Sequence, residues 1–120
     1  MTTPLSRLVR THKAIAHPVR LRLLAMLRGG PLCVCQMTVV VGLAASTVSE
    51  HLSELREAGL VLERKVARWV EYRLSTCAIR SLETFCAELD EDAEVRTDAA
   101  RAMELRKVPL DERLQVGAAT

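Results

Sequence analysis

The sequence predicts a mainly α-helical domain that carries a single β-hairpin. Apolar side chains recur at helical spacing through the first 58 residues and again after residue 75. Between residues 61 and 74 apolar and polar side chains alternate, in two runs that meet at Ala67-Arg68. Two such runs joined tightly are typical of a hairpin. A length of 120 residues suits one domain.

Four helices are predicted before the hairpin, and glycine and proline residues mark their ends. The predicted ranges are 4–16, 18–28, 33–41 and 45–58. Pro18 fits the first turn of the second helix. Gly42 and Gly59 close the third and fourth helices, because glycine readily adopts the backbone conformation that ends a helix.

A fifth helix is predicted after the hairpin. Its apolar positions at helical spacing are Ile79, Leu82, Phe85, Cys86, Leu89 and Ala93. The helix runs toward Arg106, and Pro109 ends it. We therefore predict one domain over residues 1–108 and a flexible C-terminal tail over residues 109–120. This apolar stripe is more than a small domain can cover alone, which predicts a two-fold symmetric homodimer.

The charge of the chain is distributed unevenly. Residues 1–49 contain six Lys or Arg and no Asp or Glu, whereas residues 76–120 contain six bases and ten acids. A basic half suits a polyanionic partner, and an acidic half suits solvent or a subunit contact. Solvated helix faces would produce the same asymmetry, so charge alone does not decide. Aromatic residues make up only 2% of the chain, so the core must be aliphatic.

Nothing in the sequence indicates a membrane partner. No apolar run approaches the roughly 20 residues that span a bilayer. The apolar residues near the N-terminus are interrupted by Arg20, Arg22 and Arg28, which is unlike a signal peptide. We therefore predict a cytoplasmic protein.

The third helix, the glycine turn and the fourth helix form the arrangement that presents a helix to the DNA major groove. With the hairpin as a wing, the predicted fold is a winged helix-turn-helix. The candidate DNA-contacting residues are Ser46, Thr47, Ser49, Glu50, His51 and Ser53 on the fourth helix, with Arg64, Lys65 and Arg68 on the hairpin. Ser and Thr are also common at helix starts, and cations also protect strand edges, so each residue alone has a structural alternative.

Four segments within residues 14–75 resemble the ArsR/SmtB family of metal- and metalloid-responsive repressors. They are HPVRLRLL, LCVCQ, STVSEHLSELREAGLV and RWVEYRL. The resemblance implies a homodimer formed through helices 1 and 5. It also implies that the apo-protein represses a promoter by binding double-stranded operator DNA, and that an inducer releases the DNA.

The cysteines indicate which inducer to expect. On a regular helix Cys33 and Cys35 point about 200° apart, so two thiolates on one ion require the helix start to bend. Within the family a Cys-Val-Cys pair marks sensors of arsenite, antimonite, cadmium or lead, and thiolates favour such soft ions. The resemblance therefore implies As(III) or Sb(III) as the inducer, held by Cys33 and Cys35.

Two departures from the family pattern affect this prediction. Arsenic sensors often carry a third Cys at the position that is Thr38 here. Cadmium and lead sensors add Cys residues ahead of the pair, whereas this sequence has none before Cys33. A third ligand must therefore come from Cys77 or Cys86. The family's other metal site would fall on Thr76, Ala78, Leu89 and Asp92, of which only Asp92 is a ligand type, so no zinc site is expected there.

Three function classes are considered, namely a thiolate-gated repressor, a repressor that senses thiol oxidation and an enzyme, and the thiolate-gated, metalloid-responsive repressor is preferred. A Cd(II) or Pb(II) sensor and a repressor that senses thiol oxidation would share the fold. An enzyme is not expected, because the chain has no Cys-x-x-Cys motif, no phosphate-binding glycine loop and no clustered His and carboxylate.

Overall fold

A computed structural model describes residues 2–108 of the chain, and over this range it confirms a mainly helical fold with one hairpin. In chain order the elements are α1 (Pro4–Ile15), α2 (Pro18–Leu27), β1 (Leu32–Cys33), α3 (Val34–Val41), α4 (Ala45–Glu57), β2 (Val61–Val66), β3 (Trp69–Leu74), α5 (Thr76–Glu83), α6 (Cys86–Glu91) and α7 (Ala93–Arg106). The predicted tail over residues 109–120 lies outside the described residues.

The first four helices and the hairpin lie where local sequence signals predicted them. Thr3 and Ser6 form a reciprocal capping box at the start of α1. The His17 ring accepts a hydrogen bond from the Val19 N–H and caps α2. Gly42 ends α3 with φ at 71°, in the left-handed region that favours glycine.

The sheet contains a strand that the sequence analysis did not predict. It is antiparallel with the order β1-β3-β2. In β1, Leu32 pairs with Tyr72 and Cys33 pairs with Glu71 of β3. Two residues are too few to show a strand period, so only the tertiary pairing reveals this strand. As a result, Cys33 belongs to the same sheet as the hairpin.

The prediction of one continuous last helix is wrong, because three helices follow the hairpin between residues 76 and 106. Asp92 has extended backbone angles, and its carboxylate caps α7 by accepting a hydrogen bond from the Val95 N–H. The Arg96 guanidinium satisfies the exposed carbonyl oxygens of Asp90 and Glu91 at the end of α6. These local partners stabilise the break, and α7 turns back to pack on α2 and α3.

The core is aliphatic, as predicted, and it includes part of the stripe assigned to a dimer partner. Leu82 and Leu89 are buried within the protomer, whereas Ile79 remains 46% exposed. The structure therefore corrects the expectation that all of these residues need a second subunit to cover them. Over residues 2–108, every helix falls short of the length and apolar character that a membrane crossing requires.

Candidate functional site

Helix α4 is held by one apolar face and leaves the other face open. Val48, Leu52 and Leu55 are fully buried in the core. Of the predicted DNA-contacting residues on this helix, Ser46, Ser49 and Glu50 are exposed, and Thr47, His51 and Ser53 are half-buried. The exposed face therefore presents small hydroxyl groups that can donate or accept hydrogen bonds at base edges and phosphates.

His51 is tied to α2 through residues that the sequence analysis did not assign to the site. The Arg20 Nε–H donates to His51 Nδ1 at 3.1 Å, and the His17 and His51 ring centroids lie 4.5 Å apart. Burial, followed by the proximity of His17 and Arg20, lowers the pKa of His51. His51 is therefore neutral at neutral pH. Because its Nδ1 accepts, its Nε2 carries the proton and is a donor.

The wing, which is the hairpin β2–β3, carries the predicted cations on its exposed surface. Arg64, Lys65 and Arg68 are all exposed, and the Arg68 guanidinium lies 5.8 Å from the Trp69 ring centroid. Cations on a protruding ribbon can reach phosphate oxygens without disturbing the core.

A polar contact joins the wing to α4. Arg56 Nη1 of α4 donates to Glu63 Oε1 at 2.7 Å, and the Tyr72 hydroxyl donates to Glu63 Oε2 at 3.0 Å. Burial and the hydrogen bond to Glu63 raise the pKa of Tyr72, so its hydroxyl stays protonated at neutral pH. Sequence reasoning missed Arg56, Glu63 and Tyr72 because their partners lie on different elements.

Cys33 occupies the junction between the sheet and the helix-turn-helix. Its side chain is buried, with 1% of the residue exposed, and its extended backbone serves as the cap of α3. Its N–H donates to Gln36 Oε1 at 2.7 Å. Cys35 follows in the first turn of α3 and is half-buried. Cys33 therefore has extended backbone, whereas Cys35 lies within the helix.

The two other cysteines lie elsewhere in the described part of the chain. Cys77 is exposed near the start of α5. Cys86 is half-buried and lines a cavity of about 420 Å³ together with Leu27, Arg73 and Ile79. Within residues 2–108, no disulfide joins the cysteines, and no three His, Cys, Asp or Glu side chains come together in a group that could hold a metal ion. A third thiolate is therefore not assembled within the described protomer.

Known proteins identify the family to which this arrangement belongs. The family model of bacterial regulatory proteins of the arsR family matches residues 17–62. The structure of HlyU from Vibrio cholerae is 34% identical, with a TM-score of 0.62, and the match covers 72% of this chain and 99% of HlyU. The chain belongs to the ArsR family. A homodimeric winged helix-turn-helix DNA-binding domain from Mycobacterium bovis, a possible ArsR-family regulator, matches with a TM-score of 0.67 and 28% identity, covering 72% of this chain and 82% of that domain. The predicted winged helix-turn-helix is confirmed.

Two ArsR-family relatives are named for arsenic resistance. The arsenic resistance transcriptional regulator ArsR1 of Pseudomonas putida is 43% identical over 63 residues, which cover 52% of this chain and 49% of that protein. The arsenical resistance operon repressor of Escherichia coli is 40% identical over 68 residues, which cover 56% of this chain and 58% of that protein. This chain therefore aligns with about half the length of each. Both relatives are regulators of transcription, which confirms the prediction that the chain is not an enzyme.

Proposed function

We propose that this chain is a metalloid-responsive transcriptional repressor. In this proposal the apo homodimer binds operator DNA, and As(III) or Sb(III) binding to Cys33 and Cys35 releases it. The observation that carries the proposal is the position of Cys33, which is shared by the sheet of the wing and the start of the helix-turn-helix. The names of the two arsenic-resistance relatives support the choice of inducer.

The DNA-binding surface combines the exposed face of α4 with the wing. Its residues are Ser46, Thr47, Ser49, Glu50, His51 and Ser53 of α4, and Arg64, Lys65 and Arg68 of the wing. The hydroxyl groups of α4 read base edges, and the wing cations neutralise phosphates. His51 contributes its Nε2–H donor, because Arg20 occupies the other ring nitrogen.

Removing one wing cation should weaken binding to every DNA sequence and make the affinity less sensitive to salt. For Arg64→Ala and Arg68→Ala we expect the slope of log affinity against log salt to fall by about one each, because each arginine releases about one counterion. Arg101→Ala, an exposed arginine of α7, is the matched control and should leave the slope unchanged. Fluorescence anisotropy of labelled operator at several salt concentrations measures this. A wild-type affinity that is equal at low and moderate salt would refute the interface.

The exposed apolar residues of α1 and α5 support the proposed dimer. Leu5, Leu8 and Val9 of α1 are exposed, with Leu8 at 58%, and Ile79 of α5 is exposed as well. A second copy that covers these faces of α1 and α5 would remove the side chains from water. A two-fold dimer presents two recognition helices, so the operator would be an inverted repeat.

The thiols of Cys33 and Cys35 suit a trivalent metalloid. Arsenite is As(OH)₃ at neutral pH, and each As–S bond forms as one arsenite hydroxyl leaves with the thiol proton as water. Two thiols leave one hydroxyl on the metalloid, or a third thiol replaces it. The candidates for that third ligand are Cys77 and Cys86, which would have to move or come from the second subunit.

The structure offers a route from Cys33 to the DNA-binding surface. Cys33 pairs with Glu71 of β3, and the next residue of β3, Tyr72, donates to Glu63, which also accepts from Arg56 of α4. Drawing Cys33 toward Cys35 would therefore shift the wing and α4 together. Helix α3 supplies a second route, because it packs directly on α4.

Operator release by a panel of ions tests the proposed function. Reduced protein bound to labelled operator is titrated with arsenite, antimonite, cadmium, lead and zinc. We expect release by arsenite and antimonite at concentrations where zinc has no effect, because thiolates without histidine or carboxylate partners favour soft ions. If only cadmium or lead releases the operator, the inducer is that ion and not a trivalent metalloid. Release by peroxide alone would replace metalloid sensing by thiol oxidation.

A further inference from the structure

The last turn of α7 contacts the segment that leads into Cys33. Arg106 Nη2 donates to the carbonyl oxygens of Met26 at 2.6 Å and Gly30 at 2.7 Å. Arg106 Nη1 also lies so close to Gly29 that a Cβ there would be 2.8 Å from it. Burial of the guanidinium lowers the pKa of Arg106. Arg106 thus satisfies carbonyl groups left open at the end of α2.

A second contact joins the same turn to Cys33 itself. Gln36 is 1% exposed, and its Nε2 donates to the Leu105 carbonyl oxygen at 3.1 Å. Its Oε1 accepts the Cys33 N–H at 2.7 Å. One buried amide therefore connects Cys33 to α7. Moving Leu105 away would leave the buried Gln36 side-chain N–H without its acceptor, which is costly. The contact between Gln36 and Leu105 is therefore favoured.

The rest of α7 holds this turn in position. Asp98 is 2% exposed and accepts two hydrogen bonds from the Arg22 guanidinium of α2, at 2.8 and 3.0 Å. Val95 and Ala102 are buried in the same core. The body of α7 is therefore held on the core, and this favours the position in which its last turn contacts the Cys33 segment.

We propose that Leu105 and Arg106 form a latch that restricts access to the Cys33 thiol, and that inducer binding requires the latch to open. Cys33 is almost fully buried when the latch is closed. A ligand that binds only the open state has its apparent affinity reduced by the fraction of molecules that are open. The latch therefore sets the inducer concentration at which the protein responds. The identity of that inducer rests on the proposed function, whereas the latch itself is tested without it.

The rate at which Cys33 reacts with N-ethylmaleimide tests the latch. The starting protein carries Cys35→Ser, Cys77→Ser and Cys86→Ser, so that Cys33 is its only thiol. Adding Arg106→Met should raise the alkylation rate about tenfold or more at fixed pH, because local opening limits the reaction of a buried group. Lys107→Met is the matched control, since the Lys107 side chain is exposed and its Nζ donates to Glu104, and it should leave the rate unchanged within twofold.

Two further measurements separate the latch from general unfolding. Val48→Ala weakens the core away from the latch, and it should not accelerate alkylation unless the reaction proceeds through global unfolding. If Arg106→Met does not fold, hydrogen exchange on the Cys33-only protein decides instead. Alkylation of Cys33 should then raise the rate of amide exchange in residues 102–106 and leave the rate in α1 unchanged. If the rate in residues 102–106 does not rise, the latch is wrong.

The outcomes distinguish the latch from the proposed function. If folded Arg106→Met protein is alkylated no faster than its parent, the latch is wrong, whatever arsenite does to operator binding. If alkylation accelerates as expected but arsenite fails to release operator from the wild-type protein, the latch stands and the proposed inducer is wrong.

Discussion

Cys33→Ser protein is expected to bind operator as tightly as the wild-type protein and to stay bound when arsenite is added. Serine is a favourable cap residue, so α3 should still begin at the same place. A serine hydroxyl is, however, a poor ligand for a soft ion. Cys35→Ser should behave in the same way. In the wild-type protein a coupling of about 1–3 kcal/mol would weaken operator binding 5–150-fold, and either variant should lose this response.

Cys77→Ser and Cys86→Ser are the comparison variants for this experiment, because these two residues are the candidates for the third ligand. Because they lie apart on α5 and α6, at most one of them should reduce the response to arsenite, and that one supplies the third thiolate. Operator release is followed by anisotropy against arsenite concentration for all four variants. If Cys33→Ser and Cys35→Ser both respond like the wild-type protein, the sensor site is wrong.

Asp98→Ala should lower the free energy of unfolding by about 2–3 kcal/mol. Its carboxylate is the buried partner of Arg22, and the interaction raises the pKa of Arg22, which stays charged when Asp98 is removed. Breaking a fully buried pair costs about 3–5 kcal/mol. The expected loss is smaller, because the Arg22 side chain is 18% exposed and Glu94 remains 3.6 Å away. Thermal unfolding should shift downward by about 10 °C.

Asp90→Ala provides the comparison for the buried pair. Asp90 accepts a hydrogen bond from Arg28 at 2.9 Å, but 64% of its side chain is exposed. Exposed ion pairs contribute about 0–1 kcal/mol, so this variant should unfold near the wild-type temperature. Equal unfolding temperatures for both variants would show that α7 is not held by the Arg22–Asp98 pair.

Sequence reasoning succeeded where the signal is local. Gly42 and Gly59 set helix ends by their own backbone freedom, and the alternation from residue 61 to residue 74 defines the hairpin without knowledge of the rest of the fold. The cysteine pair could also be recognised from the sequence, because one residue separates Cys33 from Cys35.

The features that sequence reasoning missed all depend on distant partners. Strand β1 exists because Leu32 meets Tyr72, forty residues away. The return of α7 depends on Arg22 and Asp98, and Arg20 meets His51 only after α2 and α4 pack. No periodicity connects such residues, so a single sequence does not reveal them.

Thermodynamic linkage tests the central claim most directly. Arsenite affinity is measured by titration of the reduced wild-type protein, once alone and once saturated with operator. If arsenite at Cys33 and Cys35 releases DNA, operator must weaken arsenite binding by the same factor, about 5–150-fold, by which arsenite weakens operator binding. Equal arsenite affinities for the DNA-free and DNA-bound protein would contradict the account.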